Sequence, residues 1–193
     1  MYRTVFLLLA LALLATASPT VYFIRHGEKP RNGGTGLSAD GLERAECIRQ
    51  VFGEGSKYAI GYILAQRPKD NGKRARPYET VQPLAADLGI TVDIECDRDD
   101  SQCVKDKIDQ YSGHGNVLIC WEHRRMTHIA EELGDEDAPT YPDDRFDLIW
   151  TYPSPYTEVT EITREKCHHL EMLGKQAVGM QQRILKGSRR QQI

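Results

Sequence analysis

The run Thr20-Val21-Tyr22-Phe23-Ile24 is rich in β-branched and aromatic side chains and stops abruptly at Arg25-His26-Gly27-Glu28-Lys29. Such a run reads as a strand buried on both faces. A second run, Asn116-Val117-Leu118-Ile119-Cys120-Trp121, ends in the same abrupt way at Glu122-His123. Buried strands separated by helical segments pack as a largely parallel sheet covered by helices on either side. Ligands of such sheets collect at the carboxyl ends of the strands. Both histidines therefore fall where chemistry is expected. Gly27 lets the backbone come close to a ligand, and Arg25 offers a planar fork of donors suited to an oxyanion.

The other elements follow from capping and periodicity. Ser38 reads as an N-cap, with Asp40 in the first turn and Leu42, Ala45, Ile48 and Val51 at helical spacing before Gly53. Ala59 to Ala65 reads as a strand, followed by a polar loop of Lys, Arg and Gly. A helix is predicted from near Pro77 to before Gly89, with Pro83 expected to kink it or shift its start. Thr91 to Ile94 is a short strand, Glu95 to Asp100 an acidic loop, and Val104 to Tyr111 a helix. Arg124 to Leu133 is a helix closed by Gly134, and Asp147 to Thr151 is the last predicted strand. Positions 174 to 193 read as a polar, basic tail after a single domain spanning 18 to 173.

The chain has 193 residues, enough for one domain with a proper core, and a formal net charge of −3. No basic stripe with interleaved aromatics is present, which argues against nucleic acid as a partner. The amino terminus pairs Arg3 with the apolar stretch Val5 to Ala15 and then Ala15-Thr16-Ala17. That pattern predicts a signal peptide over 1 to 17, hence a secreted protein, and it is too short for a stable membrane span. Secretion permits disulfides, and five cysteines leave at least one unpaired. Cys96 and Cys103 flank the acidic loop and form the expected pair; Cys120 is an expected buried thiol. Cys47 and Cys167 stay open. No Asn-x-Ser/Thr sequon occurs, so N-glycosylation is not expected.

Arg25-His26-Gly27, Leu37-Ser38-Ala39-Asp40-Gly41, Arg76-Pro77-Tyr78-Glu79-Thr80 and Trp121-Glu122-His123 occur in that order. Together they resemble the motifs of the histidine phosphatase superfamily, the phosphoglycerate mutase-like proteins. Arg25-His26-Gly27-Glu28-Lys29-Pro30 and Trp121-Glu122-His123 most resemble a small fungal branch of it. The resemblance spans Val21 to Thr151. It departs from the common pattern at Arg44, where many members have glutamine, and at Glu122-His123-Arg124, where Ser-His-Gly is frequent. What it implies is a three-layer α/β/α sandwich and a phosphohistidine intermediate on His26, with no metal or organic cofactor.

Phosphoryl transfer needs a nucleophile, cations on the non-bridging oxygens and a proton for the leaving oxygen. The resemblance makes His26 the nucleophile and Arg25, Arg76 and His123 the phosphate clamp. For Arg76, a helix amino terminus would add its own donors. The proton donor is open between Asp99, within a loop that also holds Asp97 and Asp100, and Glu122 beside His123. Asn32 is matched to a phosphate contact, Glu28 to an orienting role on Arg25 or the other clamp arginine, and Arg124 to an anionic substrate. Lys29, Arg31, Lys73 and Arg74 extend that positive character. A zinc site at Glu122, His123 and His128 does not fit the spacing of a shared helix face. His114 belongs to a loop and His168-His169 to the surface.

The expected substrate is a small phosphorylated molecule, cleaved by hydrolysis. Insertions like those of the glycolytic mutases are absent, and a glycolytic enzyme has no evident place outside the cell. A secreted protein that keeps the phosphate pocket without turnover is the rival. Nothing in the sequence speaks to oligomeric state.

Overall fold

The computed structural model describes residues 18–167; the predicted leader over 1–17, the predicted tail over 174–193 and His168-His169 lie outside them. The elements run β1 (Val21–Arg25), α1 (Ala39–Phe52), β2 (Ile60–Ala65), α2 (Arg76–Leu88), β3 (Val92–Asp93), α3 (Ser101–Gln110), β4 (Asn116–Trp121), α4 (His123–Leu133), β5 (Leu148–Tyr152) and β6 (Glu161–Arg164). They form one sheet in the order β3-β2-β4-β1-β5-β6. β3, β2, β4 and β1 are mutually parallel, whereas β5 runs antiparallel to β1 and β6 antiparallel to β5.

The strand sequences explain the layers. In β4, Val117, Ile119 and Trp121 point to one face, where they meet Val104 and Ile108 of α3 and Met126, Ile129 and Ala130 of α4. Leu118 and Cys120 point to the other, against Ile48 and Phe52 of α1 and Val81, Leu84 and Ala85 of α2. Because successive side chains alternate across a strand, a run with no polar interruption can only sit between two helical layers. That is the three-layer α/β/α sandwich with a mostly parallel sheet.

β6 and the reversal at β5 are departures from the sequence reading. β6 lies at the sheet edge and its side chains are largely exposed, so it lacks the apolar pattern that would reveal it. α2 runs unbroken from Arg76 through Pro83 to a left-handed Gly89 at φ 65°, so Pro83 does not displace its start. Pro77 fits the first turn, where its missing N–H costs nothing.

Two disulfides form among the described residues. Cys96–Cys103 is the expected pair, and Cys47–Cys167 joins α1 to the segment after β6. Cys120 is a buried free thiol in β4. No helix of the described residues is long and apolar enough to cross a membrane.

Candidate active site

His26 stands at the carboxyl end of β1 and is 5% exposed. Its backbone N–H donates to the Trp121 carbonyl at 3.2 Å, joining the ends of β1 and β4. Its Nδ1 lies 2.7 Å from the Gly27 carbonyl oxygen, a partner that can only accept. Nδ1 therefore holds the proton, and the lone pair of the neutral ring is on Nε2. Burial pushes the imidazole pKa down to about 4, and the charges of Arg25, Arg76 and His123 push the same way against the Gly27 carbonyl. At neutral pH this histidine is uncharged.

The Gly27 turn is held by close backbone packing. A Cβ on Gly27 would lie 2.9 Å from the Gly41 carbonyl oxygen, and one on Gly41 would lie 2.6 Å from the Glu28 carbonyl oxygen. The two glycines of the first two motifs thus let α1 press against the loop after β1. Ser38 adds a hydrogen bond from its N–H to the Glu28 carbonyl at 2.9 Å, while its hydroxyl caps α1 at Gly41. From the other side, Gly27 N–H donates to Thr80 Oγ1 at 2.8 Å, and that hydroxyl donates to the Arg76 carbonyl at 2.7 Å. Thr80 is fully buried. The arginine and threonine of the third motif, one helical turn apart, are therefore fastened to the turn that carries His26.

Arg76 begins α2 and directs its guanidinium at the glycine-rich loop, giving Nε to Gly36 O at 3.1 Å and Nη2 to Gly34 O at 3.0 Å. Arg25 is buried. Its Nη1 donates to the carbonyls of Pro142, Asp143 and Arg145 at 3.3, 2.8 and 2.6 Å, and its guanidinium lies 3.8 Å over the Phe146 ring. Its Nε has no hydrogen-bond partner, and burial lowers its pKa.

His123 is the first residue of α4 and is 7% exposed. Its Nε2 is 2.6 Å from Asp143 Oδ1. Glu122 Oε1 lies 2.9 Å from Nδ1, but off the line of a hydrogen bond, so Nδ1 has no such partner. Glu122 is positioned by its N–H, which donates to Gln66 Oε1 at 3.1 Å. Gln66 follows β2 and is 2% exposed. The carboxyl ends of β1, β2 and β4 thus bring His26, Arg25, Arg76, His123 and Glu122 to one edge of the sheet.

Four candidates sit differently from their sequence reading. Glu28 takes a forked salt bridge from Arg44, with Nη2–Oε1 at 2.6 Å, rather than contacting Arg25 or Arg76, because Arg44 projects from α1 directly onto the loop. Asp99 is half-exposed and engaged by Arg98, Arg125 and Arg74. Those arginines, Arg98 first, hold its carboxyl below the usual range. Asn32 is exposed and closes a local turn, accepting from Gly34 N–H at 3.3 Å. Arg124 is largely exposed and reaches Asp143 at 3.4 Å. Lys29, Arg31 and Lys73 are exposed as well.

Asp143 and Phe146 escaped the sequence reading. They lie in the irregular stretch between α4 and β5, which has no apolar period and no motif. Its length is the one available signal, since long structureless loops in compact domains are commonly functional. His128 pairs with Glu131 and His114 is an exposed loop residue. No group of three or more His, Cys, Asp or Glu side chains is arranged to hold a metal among the described residues.

No protein-family model matches the sequence, and no curated protein does. Solved structures do match in fold. The protein histidine phosphatase SixA complexed with tungstate is 14% identical, with a TM-score of 0.54 over 76% of this chain and 97% of that one. The phosphoserine phosphatase of Entamoeba histolytica in complex with 3-phosphoglyceric acid is also 14% identical, with a TM-score of 0.54 over 77% and 98%. A histidine-to-alanine variant of phosphoserine phosphatase from the same organism, in complex with phosphoserine, gives 12% and 0.53 over 78% and 99%. These neighbours are members of the histidine phosphatase superfamily. The chain has the phosphoglycerate mutase-like fold.

Proposed function

We propose that the protein is a phosphomonoester hydrolase that works through a phosphohistidine on His26. The observation behind this is the state of His26: buried, neutral, with Nδ1–H committed to the Gly27 carbonyl and Nε2 free to attack. Arg25, Arg76 and His123 act on it electrostatically and supply the charge that a transferring phosphoryl group requires. In the first step a bond forms from Nε2 to phosphorus while the bond to the ester oxygen breaks. The leaving oxygen takes a proton from Glu122, whose carboxyl stands beside His123. Water then gives a proton to the Glu122 carboxylate left by the first step and attacks phosphorus, the Nε2–P bond breaks, phosphate leaves and Nε2 regains its lone pair. Phosphatase structures of the same fold bind tungstate, 3-phosphoglyceric acid and phosphoserine, which supports an oxyanion pocket here. The resemblance of the first and last motifs to the fungal branch, and the secreted setting, belong to the same reading; two disulfides suit an oxidising compartment.

One observation favours the non-catalytic alternative. The loop 142–145 already engages both Arg25 and His123. Phosphate release from a panel of phosphomonoesters, by the wild type and His26→Ala, separates the two. Turnover lost in the variant is the expected outcome; no turnover by the wild type on any ester would overturn the hydrolase reading.

A further inference from the structure

Beside the reaction site, on the β2 and β3 side, three arginines from three different elements close on one carboxylate. Arg98, in the loop after β3, holds Asp99 with both arms of its fork, Nε–Oδ1 at 3.0 Å and Nη2–Oδ2 at 2.9 Å. Arg125, in the first turn of α4, places Nε 2.8 Å from Oδ1. Arg74, in the loop before α2, places Nη2 3.5 Å from Oδ2 and takes a left-handed backbone at φ 65° to do so. Such a conformation is costly for a long side chain.

The cluster is fastened to the reaction site by its backbone. Gln66 donates through Nε2 to the Arg74 carbonyl at 3.4 Å and accepts the Glu122 N–H at 3.1 Å. Trp121 Nε1 donates to the Arg98 carbonyl at 2.9 Å. Arg74 lies two residues before Arg76, and Arg125 two residues after His123. Glu122 is the other carboxylate that Arg98 feels; Asp97 lies off to the side with Arg67 at 3.6 Å.

One carboxylate cannot neutralise three guanidinium groups, and the Asp99 side chain is 44% exposed and so open to exchange. Guanidinium forks accept a carboxylate or a phosphate with the same geometry. We propose that Arg74, Arg98 and Arg125 form a second anion subsite that selects phosphomonoesters bearing a further anionic group, with Asp99 as its resident occupant in the absence of substrate. The inference rests on the hydrolase reading for the phosphate held at His26. It makes Arg74, Arg98 and Arg125 specificity residues and gives Asp99 a part in binding instead of proton transfer.

The test uses ligands that cannot turn over. A ladder of α,ω-alkane bisphosphonates, with matching ω-carboxyalkylphosphonates and simple alkylphosphonates, is titrated calorimetrically into the full chain. At one spacer length a doubly anionic ligand binds roughly tenfold more tightly than its simple phosphonate, given modest gains at each half-exposed arginine. Which ladder shows the gain identifies the second group as phosphate or carboxylate. Arg98→Gln/Arg125→Gln removes the gain and leaves simple phosphonate binding as it was. Asp99→Asn, which removes the competing carboxylate, strengthens doubly anionic binding, a gain that misfolding cannot imitate. No advantage at any spacer, or an advantage that survives the double variant, overturns the subsite. Failure of the wild type to release phosphate from any ester of the panel, doubly anionic esters included, alongside intact selective binding, would instead remove the hydrolase reading alone.

Discussion

Asp143 Oδ1 sits 2.6 Å from His123 Nε2, so a carboxylate of the chain itself occupies the donor proposed for an incoming phosphate. The carbonyls around it are turned onto Arg25 in the same way. Asp143 is exposed and held ionised chiefly by His123, with Arg124 assisting. A ligand oxyanion must displace it. Asp143→Asn removes the negative charge and keeps the size, so tungstate and phosphate are expected to bind several-fold more tightly, the gain being limited by solvent at an exposed site. Calorimetric titration with tungstate checks this; unchanged or weaker affinity would mean that Asp143 helps to build the oxyanion site.

His26 makes a prediction about acid. Its folded pKa of about 4 lies below the 6.5 of a free imidazole. Between those values the unfolded chain binds the proton and the folded chain does not. Its contribution to stability is therefore intact above pH 6.5 and is lost as pH falls toward 4, by about 3 kcal/mol in total. In His26→Asn this loss is absent, so the stability difference between variant and wild type shifts toward the variant by that amount on acidification. Urea unfolding at a series of pH values measures it. The proposed nucleophile also stays neutral down to the same range, so activity is expected to persist well into acid. An acid limb near 6.5 for a step assigned to His26 would contradict the burial argument.

Some of this was legible in the sequence for physical reasons. β1 and β4 are buried except at Tyr22 and Asn116, and burial on both faces leaves an apolar run that ends where the strand leaves the core. His26 and His123 inherit their legibility from those endings. Gly27 reads as a glycine for close approach to a ligand and Gly41 as a motif residue; the structure shows them packed on facing backbone, where a Cβ would fall 2.6 to 2.9 Å from a carbonyl oxygen. β6 was not readable because an exposed edge strand needs no apolar alternation. The partner of Glu28 was not readable either, since Arg44 lies sixteen positions along and only the docking of α1 brings it near. Cys47–Cys167, separated by 120 positions, is beyond any local pattern. Asp143 lies in a loop whose sequence has no period, and only the fold brings it to His123.

Thr80 is a single hydroxyl that satisfies the buried Gly27 N–H in the turn after His26 while bonding to the first residue of α2. Thr80→Val keeps the shape and removes both bonds, stranding the Gly27 N–H away from water. Such an orphan costs about 1–3 kcal/mol. The Gly27 carbonyl, which fixes the His26 tautomer, belongs to the same residue, so turnover should fall more than substrate affinity. Thr80→Ser should restore both. Urea unfolding and steady-state kinetics on the three proteins check it, and a stable, fully active Thr80→Val would show that the turn is held by the glycine packing alone.

Arg44 is buried between two carboxylates, Glu28 from the loop after β1 and the fully buried side chain of Glu165 after β6. Cys167 follows Glu165 by two residues and is tied by its disulfide to Cys47 on α1, the helix that carries Arg44. The disulfide and the ion network therefore hold the same segment against the same helix, and each makes the other's geometry cheaper. Arg44→Met leaves the buried Glu165 carboxylate without its counter-charge and should cost about 3–5 kcal/mol. Cys47→Ala/Cys167→Ala should cost about 2–5 kcal/mol, the long closed loop placing it toward the upper end. Because the disulfide positions Glu165, the two losses should not add: once Cys167 is free, Glu165 can turn to solvent, and deleting Arg44 then costs less. A double-mutant cycle by equilibrium unfolding should give a coupling above about 0.5 kcal/mol, the level at which independent sites cease to be additive. Full additivity would mean that the 161–167 segment stays docked without its disulfide, with Glu28 held by Arg44 alone.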